Sequence, residues 1–486
     1  MHSLLEKNYL VTLELIECFY KTSNNNTISY FSAALNIDPR TLNKILFDLD
    51  YDLKFGGLSN QLTLTVSERD IQVNFSSDFS LEIIYNFYMK KSICIDLCIL
   101  IFNDKYTTMD SFSERHYISR TTLYRKIKPL KDQLNKFDLS LNLSSKELII
   151  GEEKQIRYFF YILFWEVLST TEYFSVDYAK SIKKVIHALT PYYDKHFIFY
   201  LNLETHLSIA LTRIKNNYFI ENEIEDFNFP LIDFTFEQFK ILLSPTFEEV
   251  TELSKKIICN EIRLLHFFIS TSNVYPISKT KKKVTVNIEN GNTQDIDKWI
   301  THFTNFYQII LNSDEYFYLL INLNYFKIKF NFLSGGNSYL GVNHGSKILL
   351  GFYPNQYKKF EKFITFLELN GSGCQIKEYQ KFQYFLLVRE LVKKKSPPFK
   401  MVIISKISEV EREWIQNQII KRTNIPVKFN KKISKDINLI VSDYLINENI
   451  LSFENNVYLN WSSFPSETEW KQLISRIEKI YYESFF

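Results

Sequence analysis

Residues Phe112 to Leu143 read FSERHYISRTTLYRKIKPLKDQLNKFDLSLNL and show the clearest structural pattern in the chain. A first helix ends in a short turn at His116 to Ile118, and Ser119 follows, a residue type preferred as an N-cap. In the next helix, apolar residues recur at spacings of three and four, which places them on one inward face. These residues are Leu123, Ile127, Leu130 and Leu134. This order of elements predicts a helix-turn-helix.

The outward face of the second helix is polar and basic. From Ser119 to Lys136 the sequence has six Lys or Arg and one acid. Such a face at the N-terminal end of a helix suits the major groove of duplex DNA. The predicted DNA-contacting residues are Arg120, Thr121, Thr122, Tyr124, Arg125, Lys128 and Lys131. The alternative is a solvent-exposed amphipathic helix with basic decoration. Pro129 lies inside this helix, where a proline kinks or divides it.

The same layout occurs upstream, in TISYFSAALNIDPRTLNKILFDLDYDL at Thr27 to Leu53. Asp38 is the predicted N-cap, with Pro39 at the first helical position. The offset between the two stretches is 81 residues. From Asp38 to Lys54 there are three bases and four acids. Because phosphate neutralisation supplies much of DNA affinity, we expect Arg40 and Lys44 to be weaker DNA contacts than the residues of the second stretch.

Each stretch is followed by apolar residues that alternate around a polar turn, which indicates a hairpin. The first set is Leu62, Leu64, Val66, Ile71, Val73 and Phe75. The second set is Leu139, Leu141, Leu143, Leu148 and Ile150. The pattern predicts two tandem winged helix-turn-helix units, at residues 1–76 and 77–151.

Composition bounds the remaining possibilities. A chain of 486 residues with 45% hydrophobic residues is long enough for several globular domains. Its net charge of +3 is nearly neutral, so nucleic-acid affinity has to come from a local patch. The five cysteines show neither a disulfide framework nor zinc spacing, and Cys94 and Cys98 fit a buried helix face. The longest apolar runs are too short to span a bilayer. We therefore expect a cytoplasmic protein without metal, cofactor or membrane contact.

Beyond residue 152 the chain reads as two helical bundles, 152–278 and 279–395, with their boundary near residues 272–290. One predicted helix runs from Phe247 to Ser270. After the linker KKKSPP at 393–398, strands alternate with helices at 399–486, which predicts a small parallel α/β domain. Its first helix, Ser408 to Arg422, is expected to turn Val410, Trp414 and Ile419 inward. Ser466 and Glu469 form a predicted capping box.

The helix HLSIALTRIKNN at 206–217 places His206 and Arg213 two turns apart, on nearly the same face. By residue type alone, a histidine on such a helix is a packed or exposed residue without chemistry.

The whole chain resembles the Mga family of transcription regulators, which is related to AtxA-type virulence regulators. The stretch SFSERHYISRTTLYRKIKPLKDQLNKFDLSL is very similar to the main helix-turn-helix of that family. The resemblance implies that the bundles are phosphotransferase-system regulation domains and that residues 399–486 form an enzyme IIB-like domain. It matches His206 to the phosphoacceptor position, with His196 as a second candidate, and implies a histidine carrier protein as partner.

Two features depart from the family pattern. Asn324 and Asn331 stand where the second bundle would match His206 and Arg213. Catalytic IIB domains carry a cysteine after the first strand, near Lys406 to Ser408 here, and this chain has no cysteine beyond Cys374. We therefore expect a docking or oligomerisation module at the C-terminal end.

The predicted function is that of a DNA-binding transcription regulator acting as a homodimer or higher homo-oligomer. The expected fold is multidomain and mainly α, and no enzyme signature such as a P-loop or HExxH is present. The alternative is an RNA-binding antiterminator, which also carries paired regulation domains. Antiterminators begin with a small β-rich module, whereas residues 1–70 here read as helix first.

Overall fold

The computed structural model describes residues 4–21, 27–67, 70–170, 172–174, 176–189, 197–224, 236–249, 253–271, 294–336, 353–370, 376–444 and 457–485. This part of the chain is mainly helical, with a small parallel sheet near its end. It divides into two compact units, residues 1–273 with 326–344 and residues 274–325 with 345–486. The bounds of the five domains expected from the sequence stay predictions. None of the described helices is both long and apolar enough to cross a bilayer.

The first unit begins with two helix-turn-helix pairs, each followed by a two-stranded antiparallel hairpin. The elements are α1 Lys7–Lys21, α2 Ile28–Ala34, α3 Pro39–Phe55, β1 Leu62–Val66, β2 Ile71–Phe75, α4 Leu81–Lys91, α5 Ile93–Phe102, α6 Met109–Arg115, α7 Arg120–Asn135, β3 Ser140–Leu141 and β4 Ile149–Ile150. Both predicted helix pairs and both hairpins are present. Helix α7 also continues through Pro129 without dividing, because apolar residues pack inward on both sides of it.

One detail of the second hairpin was predicted wrongly. Ile149, not Ile150, faces inward, because Ile149 pairs with Leu141 and shares its face of the hairpin. Ile149 is buried, whereas Ile150 is exposed. In a strand of period two, a shift of one residue reverses every side chain.

The first helical bundle follows in the first unit. Its helices are α8 Glu153–Tyr161, α9 Ala179–Leu189, α10 Phe197–Lys215, α11 Phe236–Glu248 and α12 Lys255–Thr271. A π-helical stretch, Ile162–Val167, continues α8. The prediction of one helix from Phe247 to Ser270 was wrong, because Phe247 belongs to the last turn of α11, which ends at Glu248, and α12 starts only at Lys255. Leu207, Phe247 and Ile262 meet in one buried cluster at the centre of this bundle.

The second unit contains the remaining helices and the sheet. The helices are α13 Gln294–Tyr307, α14 Ser313–Phe332, α15 Pro354–Leu369 and α16 Glu378–Lys395, of which α14 contributes its residues from 326 onward to the first unit. The α/β part consists of β5 Phe399–Ile404, α17 Glu409–Arg422, β6 Val427–Phe429, β7 Leu439–Ser442, β8 Val457–Asn460 and α18 Glu467–Phe485. Its four parallel strands have the order β6-β5-β7-β8.

The capping box of α18 is confirmed: the Glu469 amide donates to Ser466 Oγ at 3.3 Å, and the Ser466 amide donates to the Glu469 carboxylate at 2.8 Å. The inward face expected for α17 was partly wrong. Ile419 is buried, but Ile415 is its buried companion, one turn away, while Val410 and Trp414 are exposed. Ile415 and Ile419 thus lie on one face of α17, and Val410 and Trp414 lie on another.

Candidate nucleic-acid interface and buried histidine

The turn before α7 is fixed by local backbone contacts. Tyr117 adopts a left-handed conformation with φ of 51°, and the Ile118 amide donates to the Ser113 carbonyl at 3.0 Å. Ser119 then caps α7, because its hydroxyl accepts a hydrogen bond from the Thr122 amide at 3.2 Å. The predicted cap is therefore confirmed, and it sets the direction in which α7 leaves the turn.

The inward face of α7 is buried as its spacing predicted, at Leu123, Ile127, Leu130 and Leu134. This packing turns the opposite face outward. Exposed there are Arg120, Thr121, Tyr124, Arg125 and Lys128, while Thr122 and Lys131 are half-buried. The structure thus brings the seven predicted DNA-contacting residues onto the surface of one helix.

The basic side chains of α7 differ in their partners. Arg120 donates from Nε and Nη2 to the two carboxylate oxygens of Asp110 in α6, and this hydrogen bonding lowers the pKa of Asp110 below its ordinary value. Lys131 lies over the Tyr124 ring, with Nζ 5.7 Å from the centroid. Within the described residues, Arg125 and Lys128 form no ion pair. Their charges are therefore available to an external anion such as a phosphate.

The corresponding residues of the first helix-turn-helix are also exposed. Asp38 caps α3 by accepting from the amides of Arg40 and Thr41, both at 2.9 Å. The side chains of Arg40 and Lys44 point outward on the first turns of that helix. Their contact with DNA stays a prediction.

An anchor of the second turn was missed from the sequence. Asp96 of α5 binds His116 Nε2 at 2.9 Å and the Arg115 guanidinium at 3.1 Å. The His116 ring also packs on Phe112, with centroids 4.6 Å apart. Asp96 thus ties α5 to the turn that precedes α7. The signal was visible, since Asp96 is the one charged residue in the apolar run ICIDLCILIF.

His206 lies inside the first bundle. Only 4% of its surface is exposed. Its ring stacks between Tyr161, at a centroid distance of 4.1 Å, and Phe268, at 4.7 Å. Burial, with a smaller effect from Lys329, lowers the pKa of His206 from 6.5 to about 3, so the ring is neutral. Its Nε2 is buried and has no hydrogen-bond partner among the described residues.

Arg213 is engaged elsewhere. Its guanidinium donates two hydrogen bonds to Glu153, at 2.9 and 2.6 Å, and stacks on Tyr218 at 3.7 Å. Glu153 also accepts from Arg157, which in turn binds the fully buried Glu261. Burial alone would raise the pKa of Glu153, but the two arginines outweigh it and hold that pKa below its ordinary value. These four charges therefore compensate one another inside the bundle.

The other predicted regulatory positions are less informative. His196 lies outside the described residues. Asn324 is half-buried on α14 and Asn331 is exposed near the end of that helix. Cys94 and Cys98 are both buried, as expected for packing residues, and no described cluster of His, Cys, Asp or Glu fits a metal ion.

Comparison with known proteins supports the identity of the second helix-turn-helix. A family model of the Mga helix-turn-helix domain matches residues 77–164, which contain α7 and its hairpin. The chain is 26% identical over 248 residues to a protein of Streptococcus pneumoniae serotype 4 (strain ATCC BAA-334 / TIGR4) named "Putative trans-acting regulator". The alignment covers 48% of this chain and 47% of that relative, about half its length. The predicted resemblance to Mga-family regulators is confirmed, with residues 77–164 similar to the Mga helix-turn-helix domain.

Proposed function

We propose that this chain is a DNA-binding transcription regulator that enters the major groove with α7 and contacts the flanking backbone with the β3–β4 hairpin as a wing. The observation that carries the proposal is the exposed face of α7, where Arg125 and Lys128 have no ion-pair partner in the described chain. Cations on the outward face of a capped, rigid helix neutralise phosphates and reach base edges.

The test compares duplex DNA with structured RNA in a binding assay across salt concentrations. We expect preference for the duplex, since the antiterminator alternative requires the reverse. Replacing Arg125 and Lys128 with Ala should lower the logarithmic salt slope by roughly one unit per lost phosphate contact. Lys146 is an exposed basic residue in the turn of the hairpin. The variant Lys146→Ala therefore tests whether the wing contributes to DNA affinity. An unchanged affinity and slope in a folded Arg125→Ala/Lys128→Ala variant would exclude this surface.

The regulatory part of the proposal concerns the bundle. His206 accepts a phosphoryl group from the histidine carrier protein of the sugar phosphotransferase system. The phosphorus–nitrogen bond on the carrier breaks as one forms on the neutral His206 ring, whose low pKa leaves a lone pair free. Because the ring is stacked between Tyr161 and Phe268, the transfer requires α10 to move relative to α8 and α12. The added charge then competes with Glu153 for Arg213.

Incubation with the purified carrier proteins and phosphoenolpyruvate tests this step. Acid-labile phosphate should appear on the wild type and disappear in His206→Ala, while the exposed His187→Ala serves as the matched control. Label that persists in His206→Ala would place the phosphorylation site at another residue, with His196 as the next candidate. Absence of label on the wild type would leave His206 a packing residue.

The C-terminal α/β part is proposed to be an enzyme IIB-like module without catalysis, used for homodimer formation. The residues after β5, Ser405 to Ser408, include no cysteine. Val410 and Trp414 give α17 an exposed apolar face of the kind that partner subunits cover. Val410→Asp should therefore shift the sedimenting species toward monomer, and an unchanged oligomer would place the interface elsewhere. The chain as a whole is proposed to be a regulator and not an enzyme.

A further inference from the structure

A row of exposed aromatic side chains lies on α3, the second helix of the first helix-turn-helix. Phe47 is 72% exposed, Tyr51 57% and Phe55 74%. Their spacing of four residues places them on one side of the helix, and the rings of Tyr51 and Phe55 lie 4.8 Å apart. We call Phe47, Tyr51 and Phe55 the aromatic stripe. Contiguous exposed apolar surface of this kind marks interaction sites.

The fold itself does not require these aromatics. The offset of 81 residues that relates the two helix-turn-helix pairs places Lys128, Asp132 and Lys136 at the positions of the stripe, and all three are exposed. Helix α7 is therefore stable with charged residues where α3 has rings. The stripe is a property of the first surface and not of the scaffold.

Next to the stripe is an acidic groove of about 250 Å³, whose lining includes Tyr51, Asp48 and Asp52. Lys91 binds Asp52 and neutralises it. Asp48 is exposed and has no ion-pair partner in the described chain. Burial and the nearby carboxylates of Glu6, Asp52 and Asp48 raise the pKa of Tyr9, another lining residue, to about 12. Among the described residues, the groove lining thus keeps one carboxylate without an ion-pair partner, that of Asp48, which favours a cation.

We propose that the aromatic stripe and the acidic groove dock an amphipathic helix from a partner protein, with apolar residues over the rings and a lysine or arginine beside Asp48. Charge complementarity selects a basic helix, and apolar anchors at helical spacing fit a helix-in-groove contact. Duplex DNA is disfavoured by the same carboxylates.

A second copy of this chain fits less well. Three aromatic side chains bury at most about 150–250 Å² each, so the stripe falls short of the roughly 800 Å² per partner that a stable protein interface needs. In a symmetric pair the unpaired Asp48 would also meet the same acidic surface. A single partner helix needs only the smaller area of a transient contact, below about 1,200 Å² in total, and its cation meets Asp48 without repulsion.

The experiment uses the full chain and a designed helical peptide of about 18 residues, with leucines on one face and one lysine beside them. A control peptide has glutamate in place of that lysine. The variant Phe47→Lys/Tyr51→Asp/Phe55→Lys transfers the α7 residues onto α3. We expect the variant to bind the lysine peptide roughly tenfold or more weakly than the wild type does, because aromatic anchors dominate such contacts. Asp48→Asn should weaken binding of the lysine peptide about two- to fivefold and slightly strengthen binding of the glutamate peptide, because it removes a like-charge repulsion.

Three outcomes would overturn the proposal. These are equal peptide binding by wild type and triple variant, equal binding of the two peptides by wild type, and a shift of the variant toward monomer, which would identify a second copy as the occupant. Circular dichroism of the triple variant verifies folding, and Asp48→Asn keeps the test valid if that variant unfolds. Because the proposal places the partner on a DNA-binding unit, DNA affinity is measured in parallel. A wild-type chain that binds the lysine peptide and does not bind duplex DNA would contradict the proposed function alone.

Discussion

The two helix-turn-helix pairs have the same backbone and different surfaces. At an offset of 81 residues, Asn36 and Tyr117 both have φ of 51°, and the Ile37 and Ile118 amides donate to the equivalent serine carbonyls at 3.0 Å. The exposed faces share almost nothing, since Phe47 of α3 corresponds to the exposed Lys128 of α7. Buried and turn residues thus define the scaffold, while solvent-facing residues determine what each copy can bind.

The common scaffold has a common core. Leu42 and Leu123 are both fully buried, as are Leu49 and Leu130. A packed leucine makes many contacts and tolerates little change in volume, whereas an exposed residue is nearly free to vary. One framework can therefore carry a basic face in the second pair and an acid-balanced, aromatic face in the first.

The largest expected effect tests the common core. Leu42→Ala and Leu123→Ala should each destabilise their own helix pair by about 2–5 kcal/mol, because each leaves a cavity in a packed site. Amide hydrogen exchange in α3 and α7 would measure the two losses separately. Only Leu123→Ala should also abolish DNA binding. If Leu42→Ala abolishes DNA binding equally, the second helix-turn-helix pair is not the main DNA contact.

The next effect tests the surfaces. Arg40→Ala and Lys44→Ala should weaken DNA binding less than Arg120→Ala and Arg125→Ala, because α3 carries nearly balanced charge. Lys44 and Arg125 occupy equivalent positions, so this pair gives the most direct comparison. Each lost phosphate contact should lower the salt slope by roughly one unit, and we expect that loss at Arg125 and not at Lys44. Titrations of the four single variants at several salt concentrations would measure it, and a greater loss at Lys44 would reverse the ranking.

Sequence patterns predicted what depends on neighbours along the chain. The caps Asp38 and Ser119 and the buried spacing of α7 were all predicted, because they arise within one or two helical turns. The capping box of α18 was predicted for the same reason. Helix α11 was missed, and its last two residues, Phe247 and Glu248, were assigned to the following helix.

Features that depend on distant residues could not be derived in this way. His206 is buried by Tyr161 and Phe268, which lie 45 and 62 positions away in the sequence (206 − 161 and 268 − 206). Arg157 and Glu261 are separated by 104 residues and still form a buried pair. The inward face of α17 was misjudged because burial depends on what covers a helix, and Val410 and Trp414 are less covered than Ile415.

The smallest expected effect distinguishes the two caps. Ser119→Ala should destabilise α7 by about 1 kcal/mol at any pH, since a hydroxyl cap does not titrate in the working range. Asp38 behaves differently, because hydrogen bonds from Thr41 and Arg40 lower its pKa. A carboxylate with a lowered folded-state pKa stabilises the fold above its unfolded pKa, and this stabilisation is lost as the pH falls through the folded value. Asp38→Asn should therefore remove part of the acid sensitivity of α3, and Ser119→Ala should leave that of α7 unchanged.

Hydrogen exchange in α3 and α7 at two pH values, one near 5 and one near 3, would measure both. An equal acid response of α3 in wild type and Asp38→Asn would show that the first cap contributes nothing through its charge.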